Sequence, residues 1–463
     1  MRAFLAGPWL APLLLAVLAA APIGHALAAG LPAVVHKATA TVHAEPDFAS
    51  DKVATLGKGA AVAVAGQQGL WYALEPAAGR AAGFVRVNEI RLAETGVDAS
   101  DTMTVLLTAR SGRGRVSETA GVRGIEASEL RSAGYDEAQL LAMQGNRVPK
   151  GGAADWAEAH ALDATPIAWP GEAAPSEYEA AVAALPAQAA RTAPKAEDKR
   201  AGFGAFAKGL LGGLGGGLVG SAIDVAQTVT PESGEELAQA ELELGPMVAG
   251  RLLGARPLWD DDAAQRRVNL VGRWLASNTS RPDLPWTFAV IDSPEINAFA
   301  APGGYVMVTR GLYTLLEGDA ELAAVLGHEI GHVVQRDHYE VVRQQELAGA
   351  LQALVGSQVP AGDSIGESLA RGFVERHGAA MLMTRLDREA EYRADAYSQL
   401  VLSRAGMNPL SLYGVLQKMA AIGGAGGGLA QLYSTHPTLG NRLDRIDERG
   451  YGPLEPYLSR PVQ

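Results

Sequence analysis

His328 and His332 stand four residues apart with an acid between them, in the run His328-Glu329-Ile330-Gly331-His332. On a helix, an i, i+4 spacing stacks two side chains on one side, one turn apart. Two imidazole nitrogens so placed can meet one Zn²⁺ at about 2.0–2.1 Å. Glu329 is then placed to take a proton from a water on that metal. Leu322, Val325, Leu326, Ile330 and Val333 follow the 3.6-residue period around the pair, so the histidines border an apolar stripe. Imidazoles buried there need polar partners, and one metal satisfies both. Asp319 is read as the cap of this helix, and Glu321 as a first-turn acid that suits its dipole. The alternative is a helix whose histidines are merely capped or exposed.

A catalytic zinc takes three protein ligands and a water, so a third ligand must come from elsewhere. Residues 385–402 read as a helix with Ala390, Ala394, Tyr397 and Val401 on its packing face. Glu391 and Asp395 lie beside that face, again i, i+4. Small Ala394 would let the two helices approach closely. Glu391 then fits as a ligand, and Asp395 as the partner of a histidine ring N–H. The residues alone also allow an ordinary surface helix, with Arg385, Arg388 and Arg393 pairing these acids.

Further motifs keep the same order along the chain. Asn297-Ala298-Phe299-Ala300-Ala301-Pro302-Gly303-Gly304 leads into a short apolar strand ending in Thr309-Arg310-Gly311. Ser434-Thr435-His436-Pro437 follows downstream, with Arg442 a turn later. With these, residues 235–450 resemble the gluzincin metalloendopeptidases that include HtpX-type proteases, CaaX prenyl proteases and periplasmic barrel-assembly proteases. The resemblance implies one Zn²⁺ per chain held by His328, His332 and Glu391, with Asp395 behind them. It implies hydrolysis of peptide bonds, with Glu329 passing a proton from water to the leaving amine. The oxyanion needs a further donor besides the metal, for which His436 and Arg442 are the candidates. Membrane-spanning members surround this domain with hydrophobic helices. None is evident here, so the chain is similar to the soluble periplasmic branch, and prenylated substrates are not expected.

The elements around this region read less sharply. Residues 33–93 show short alternating runs at 38–42, 61–65, 71–74 and 83–87, separated by turn-rich pieces such as Glu45-Pro46-Asp47. With Leu56-Gly57-Lys58-Gly59, Trp71 and a closing Gly83-Phe84-Val85, they resemble bacterial SH3-like domains. That resemblance implies a cell-wall or envelope-protein ligand, or a plain packing domain. Residues 94–168 read as partly helical, with helical spacing over 127–143 at Leu130, Tyr135, Leu140 and Leu141. Residues 169–234 read as a linker, within which 202–220 is nearly half glycine and repeats it at Gly209, Gly213 and Gly217. A mobile linker is the first reading of that piece, and peripheral membrane contact the second. Gln265 to Ala276 reads as an amphipathic helix and Trp286 to Ile291 as a strand. The strand at Tyr305 to Thr309 is expected to offer, with Gly303 and Gly304, a free edge on which an extended substrate could add.

Composition narrows the class. Lys and Arg number 39 against 51 Asp and Glu, a formal charge of −12, which argues against nucleic acid as a partner. There is no cysteine, so no thiol chemistry and no disulfide. Residues 1–28 read as a cleaved signal: Arg2, an apolar run at 10–21 and the small-x-small Ala26-Leu27-Ala28. This predicts a periplasmic or secreted protein. His338 and His377 are not expected to bind a second metal, and His36, His43 and His160 look incidental. The expected fold is α+β: a mostly helical zincin domain with a small sheet, behind a small SH3-like barrel. The expected substrates are unfolded or extended envelope polypeptides. Other readings are a zinc-scaffold chaperone or binding protein, and a cell-wall peptidase aimed by the SH3-like domain.

Overall fold

The computed structural model describes residues 30–76, 82–93, 130, 132–169, 234–341, 386–422, 432 and 436–462. The expectations for the signal-like start, for 170–233 and for His377 fall outside these residues. The two-residue period of β1 (Leu31–Val35) buries Leu31, Ala33 and Val35 and turns Pro32 and Val34 to solvent. Six more strands follow: β2 (Thr39–His43), β3 (Lys52–Gly57), β4 (Ala61–Gln68), β5 (Trp71–Leu74), β6 (Gly83–Arg86) and β7 (Ile90–Leu92). They form one antiparallel sheet in the order β3-β2-β6-β5-β4-β1-β7. This is a small β domain.

Two helices follow, α1 (Glu137–Gly145) and α2 (Lys150–Ala159). The continuous helix expected over 127–143 is broken. Residues 133–136 are not helical, and the Asp136 carboxylate accepts from the Gln139 N–H at 2.9 Å, starting α1 afresh. Leu141 is correspondingly half exposed rather than packed beside buried Leu140.

The second half is mainly helical around a three-stranded sheet, ordered β8-β10-β9. Its elements are α3 (Gly234–Ala255), α4 (Asp262–Ser277), β8 (Thr287–Ile291), β9 (Ala298–Ala301), β10 (Tyr305–Thr309) and α5 (Arg310–Leu315). Then come α6 (Asp319–Val334), α7 (Arg388–Arg404), α8 (Leu410–Ile422) and α9 (Leu439–Arg449). The strand expected at Tyr305 to Thr309 is therefore present but central: β10 pairs with β8 in parallel and with β9 antiparallel. It offers no free edge.

The two real edges differ. Along β8, Gln265 donates to the Val290 carbonyl and accepts from its N–H, and Asn269 does the same at Phe288, at 2.7–3.2 Å. Amide side chains of α4 thus replace a missing strand there. On β9, no backbone group of Ala298–Ala301 bonds outward among the described residues. The unpaired edge is β9, whose four residues are all buried and which packs beside α6.

Helices α6 and α7 cross almost backbone to backbone. A Cβ built on Gly331 would lie 3.2 Å from the Ala394 Cα and 3.3 Å from its carbonyl oxygen. Ala394 is fully buried, as expected of it. Asp319 does not cap α6; Gly318 holds that position, and the Asp319 carboxylate receives the Arg267 Nε at 2.6 Å. We expect Gly331→Val to lower stability by about 1–3 kcal/mol, since the branched side chain overpacks this crossing. Denaturant unfolding measures it; an unchanged midpoint would show that the helices can spread.

Candidate metal centre

The crossing sets the site. His328 and His332 lie on the buried side of α6, facing Glu391 of α7, and all three are nine-tenths buried or more. Their Nε2 atoms are 3.2 Å apart, and Glu391 approaches them at 3.6 and 3.8 Å. Four tetrahedral donors at about 2.0–2.1 Å from a centre lie about 3.3–3.4 Å from one another. The spacing therefore suits one ion. Glu391 Oε1 is buried without a hydrogen-bond partner, and a cation would satisfy it. The surface salt-bridge alternative for α7 is excluded by the full burial of Glu391. Of its arginine partners, Arg393 points to Gln335 and Asp337 instead.

His436, just ahead of α9, joins the group. Its Nδ1 lies 2.7 Å from Glu391 Oε2, and with His328, His332 and Glu391 it forms a buried set whose donor atoms lie within 4.8 Å of one another. Among the described residues this is the one such set. Glu329 is buried beside it.

Behind the histidines stand carboxylates. Asp395 Oδ1 is 3.0 Å from His328 Nδ1, the placement expected of it. Arg442 grips both oxygens of Asp395 at 2.6 and 3.0 Å and also lies 3.1 Å from His328 Nδ1. It therefore meets the site both at Asp395 and at the His328 ring. The partner of His332 was not legible in the sequence: Asp337 Oδ2 lies 2.8 Å from its Nδ1. Arg336 has φ of 59° and turns the chain back beyond the end of α6, which brings Asp337 under the ring. Such a conformation is uncommon for a residue with a side chain, and nothing in residue type announces it.

A third ion pair fixes the surroundings. Arg281 donates to Glu241 at 2.7 Å and to the Val333 carbonyl at the end of α6 at 2.8 Å. The other Glu241 oxygen accepts from the Gly303 N–H at 3.1 Å. Gly303 has φ of 72°, which a side chain would resist, and it turns β9 into β10. One buried pair thus ties α6, α3 and the β9–β10 turn together.

Charge follows geometry. Burial alone would raise the Glu391 carboxyl, but His436, His328 and His332 hold it well below the usual range. Burial and the Arg442 charge press His328 towards neutrality; hydrogen bonds to Asp395 and Glu391 outweigh both and lift it to about 9. Burial and His332 push His338 down to about 3, so it stays neutral beside the cluster, its ring 5.7 Å from that of His332.

Comparison with known proteins agrees with this arrangement. Residues 262–450 match the model described as Peptidase family M48. That segment is similar to peptidase family M48. The chain is 28% identical over 205 residues to the "Beta-barrel assembly-enhancing protease" of Escherichia coli K12, covering 44% of this chain and 42% of that one. It is 27% identical over 247 residues to the protein of that name from Yersinia pestis, covering 52% and 51%. It is 31% identical over 179 residues to the "Mitochondrial metalloendopeptidase OMA1" of Arabidopsis thaliana, covering 39% and 34%. The chain thus spans about half the length, or less, of these relatives. The match implies a metal cofactor, and the buried His328–His332–Glu391–His436 group within the matched segment could hold one.

A ligating imidazole must be neutral, so metal uptake displaces the proton that His328 otherwise keeps below pH about 9. Affinity should therefore rise with pH, about tenfold per unit for one displaced proton, and level off above that value. Competition with a chromophoric chelator between pH 6.5 and 9.5 measures this. A flat profile would remove the proton from His328.

Proposed function

We propose that this protein is a zinc-dependent endopeptidase acting on unfolded or extended polypeptides of the bacterial envelope. The observation that carries the reading is the buried meeting of His328, His332 and Glu391, with Glu329 beside them. The M48 match and the protease names of the relatives support it. The donor set fits Zn²⁺, which when bound supplies Lewis acidity to a peptide carbonyl and makes a water acidic near neutral pH.

The residues divide the remaining work. Glu329 accepts the proton of the attacking water and returns it to the leaving nitrogen. His436 offers a donor to the oxyanion once it leaves Glu391, and Arg442 holds Asp395 so that His328 keeps its ring orientation. An extended substrate adds to the open edge of β9 through backbone hydrogen bonds. Recognition of backbone rather than side chains favours unfolded chains, which supports a role in protein quality control. The signal-like residues 1–28 and the relatives named for β-barrel assembly support an envelope location. No described helix is long and apolar enough to cross a membrane. A ligand for the N-terminal domain in the cell wall or envelope, and membrane contact through 202–220, remain parts of the proposal.

A second reading rests on His436. Four protein donors close a tetrahedron, whereas a catalytic zinc keeps one position open. That favours a resting enzyme, or a zinc-bearing binding protein. Wild type and Glu329→Gln separate the readings. We expect one zinc in each, with kcat on an unfolded protein reduced by about 10²–10⁴-fold in the variant. Zinc in both with cleavage in neither would favour the second reading; zinc in neither would overturn both.

A further inference from the structure

The N-terminal β domain is seated on the peptidase helices by buried and part-buried polar contacts, and the helices it holds carry partners of the metal site on their other faces. Helix α9 shows this most directly. On one side its Arg442 reaches Asp395 and His328. About 140° around the helix stands Asp447 and about 200° around stands Asp444, at roughly 100° per residue. Arg91, at the last strand of the β domain, binds Asp447 at 2.6 Å and Asp444 at 3.1 Å. His36 adds a contact to Asp447 at 3.2 Å, and the Tyr413 hydroxyl donates to it at 3.0 Å. Apolar Leu439, Leu443 and Ile446 are buried between the two sides. His436 lies two residues before the cap of the same helix, Thr438.

Helix α8 provides a second connection through two adjacent residues. Gln417 donates to the Val87 and Ile90 carbonyls and accepts from the Leu92 N–H, at 2.5–3.0 Å. Lys418, fully buried, binds both oxygens of Glu321 at 2.8 and 2.9 Å. Glu321 lies in the first turn of α6, the helix that carries His328 and His332. A buried ammonium must keep its acid. The β domain therefore bears on the near end of α6 as well as on α9.

We propose that the β domain is a positioning element of the metal centre, with Arg91 acting through α9 on Arg442 and His436. The proposal rests on the endopeptidase reading for its kinetic consequence and on geometry alone for its effect on the metal. A module serving only to carry the enzyme to a surface would leave turnover of a soluble substrate unchanged. A positioning element changes kcat and metal affinity and leaves KM nearly constant.

The test uses the full chain. Arg91→Ala, Arg91→Lys, Arg442→Lys and the Arg91→Ala/Arg442→Lys double variant are compared with wild type. Thermal unfolding checks folding, chelator competition gives zinc affinity, and cleavage of an unfolded soluble protein gives kcat and KM. We expect Arg91→Ala to weaken zinc binding or lower kcat by about 2–30-fold, with KM little changed. Arg91→Lys should recover part of the loss, and the double variant should deviate from the product of the single effects. A folded Arg91→Ala with wild-type zinc affinity and kcat would overturn the proposal, as would strictly multiplicative effects. Should Arg91→Ala not fold, Arg91→Lys and Asp444→Asn carry the same comparison with the same outcomes. Wild type that binds zinc and cleaves nothing would defeat the endopeptidase reading, while the zinc affinities still decide the positioning role.

Discussion

The candidate metal centre depends on the close crossing of α6 and α7. The histidine pair supplies two donors, and a third on a separate helix is useful only within a few ångströms. Gly331 against Ala394 permits that distance, because neither residue holds the helix backbones apart. The same closeness carries Glu391 out of water altogether. A buried carboxylate without compensation is costly by several kcal/mol. Here it faces three imidazoles, and one of its oxygens still lacks a partner. Packing thus creates an electrostatic demand for a cation at the point where the donor geometry suits one.

The outer contacts answer the opposite problem, that of keeping flexible rings in one orientation. Asp395 with Arg442 serves His328, and Asp337 with Arg393 serves His332. The pairs come from different elements, so neither ring can turn without disturbing a second helix or turn. Glu241 and Arg281 fix the end of α6 against the β9–β10 turn. The sheet follows the same logic of controlled openness. Gln265 and Asn269 bond the β8 edge, which leaves β9, packed beside α6, as the edge without outward backbone bonds among the described residues.

Much of the site was legible because its parts are helical, and helical spacing maps directly onto faces. His328, Glu329 and His332 needed only the 3.6-residue period and an apolar stripe; for Glu391 and Asp395 the same period left an ordinary surface helix open, and the family resemblance carried that step. The placement of β10 was legible too, but its neighbours were not: strand order depends on long-range pairing that local alternation does not encode. Asp337 escaped because it follows a left-handed turn at Arg336. The break at 133–136 escaped because apolar spacing there imitates a helix across a capping aspartate. Asp319 failed as a cap because the chain enters α6 one residue earlier, at Gly318.

The N-terminal domain shows why reading a chain piece by piece separates what folding joins. Its strands have the short alternating texture of an independent module, and nothing in residues 31–92 names a partner. Yet its buried residues and those of α8 and α9 belong to one continuous apolar cluster. The Gln417 bonds are buried and the Arg91–Asp447 pair is part-buried beside that cluster, where each is stronger and its loss more costly than at a solvent-exposed tether, whereas Arg91–Asp444 reaches solvent. Neighbouring residues also do different tasks: Gln417 completes the backbone bonds of the β domain, and Lys418 neutralises Glu321 of the metal helix. A side chain one position away cannot shift without moving the other through the shared backbone of α8. A domain fastened in this way constrains the helices that form the site, whatever ligand its outer face meets.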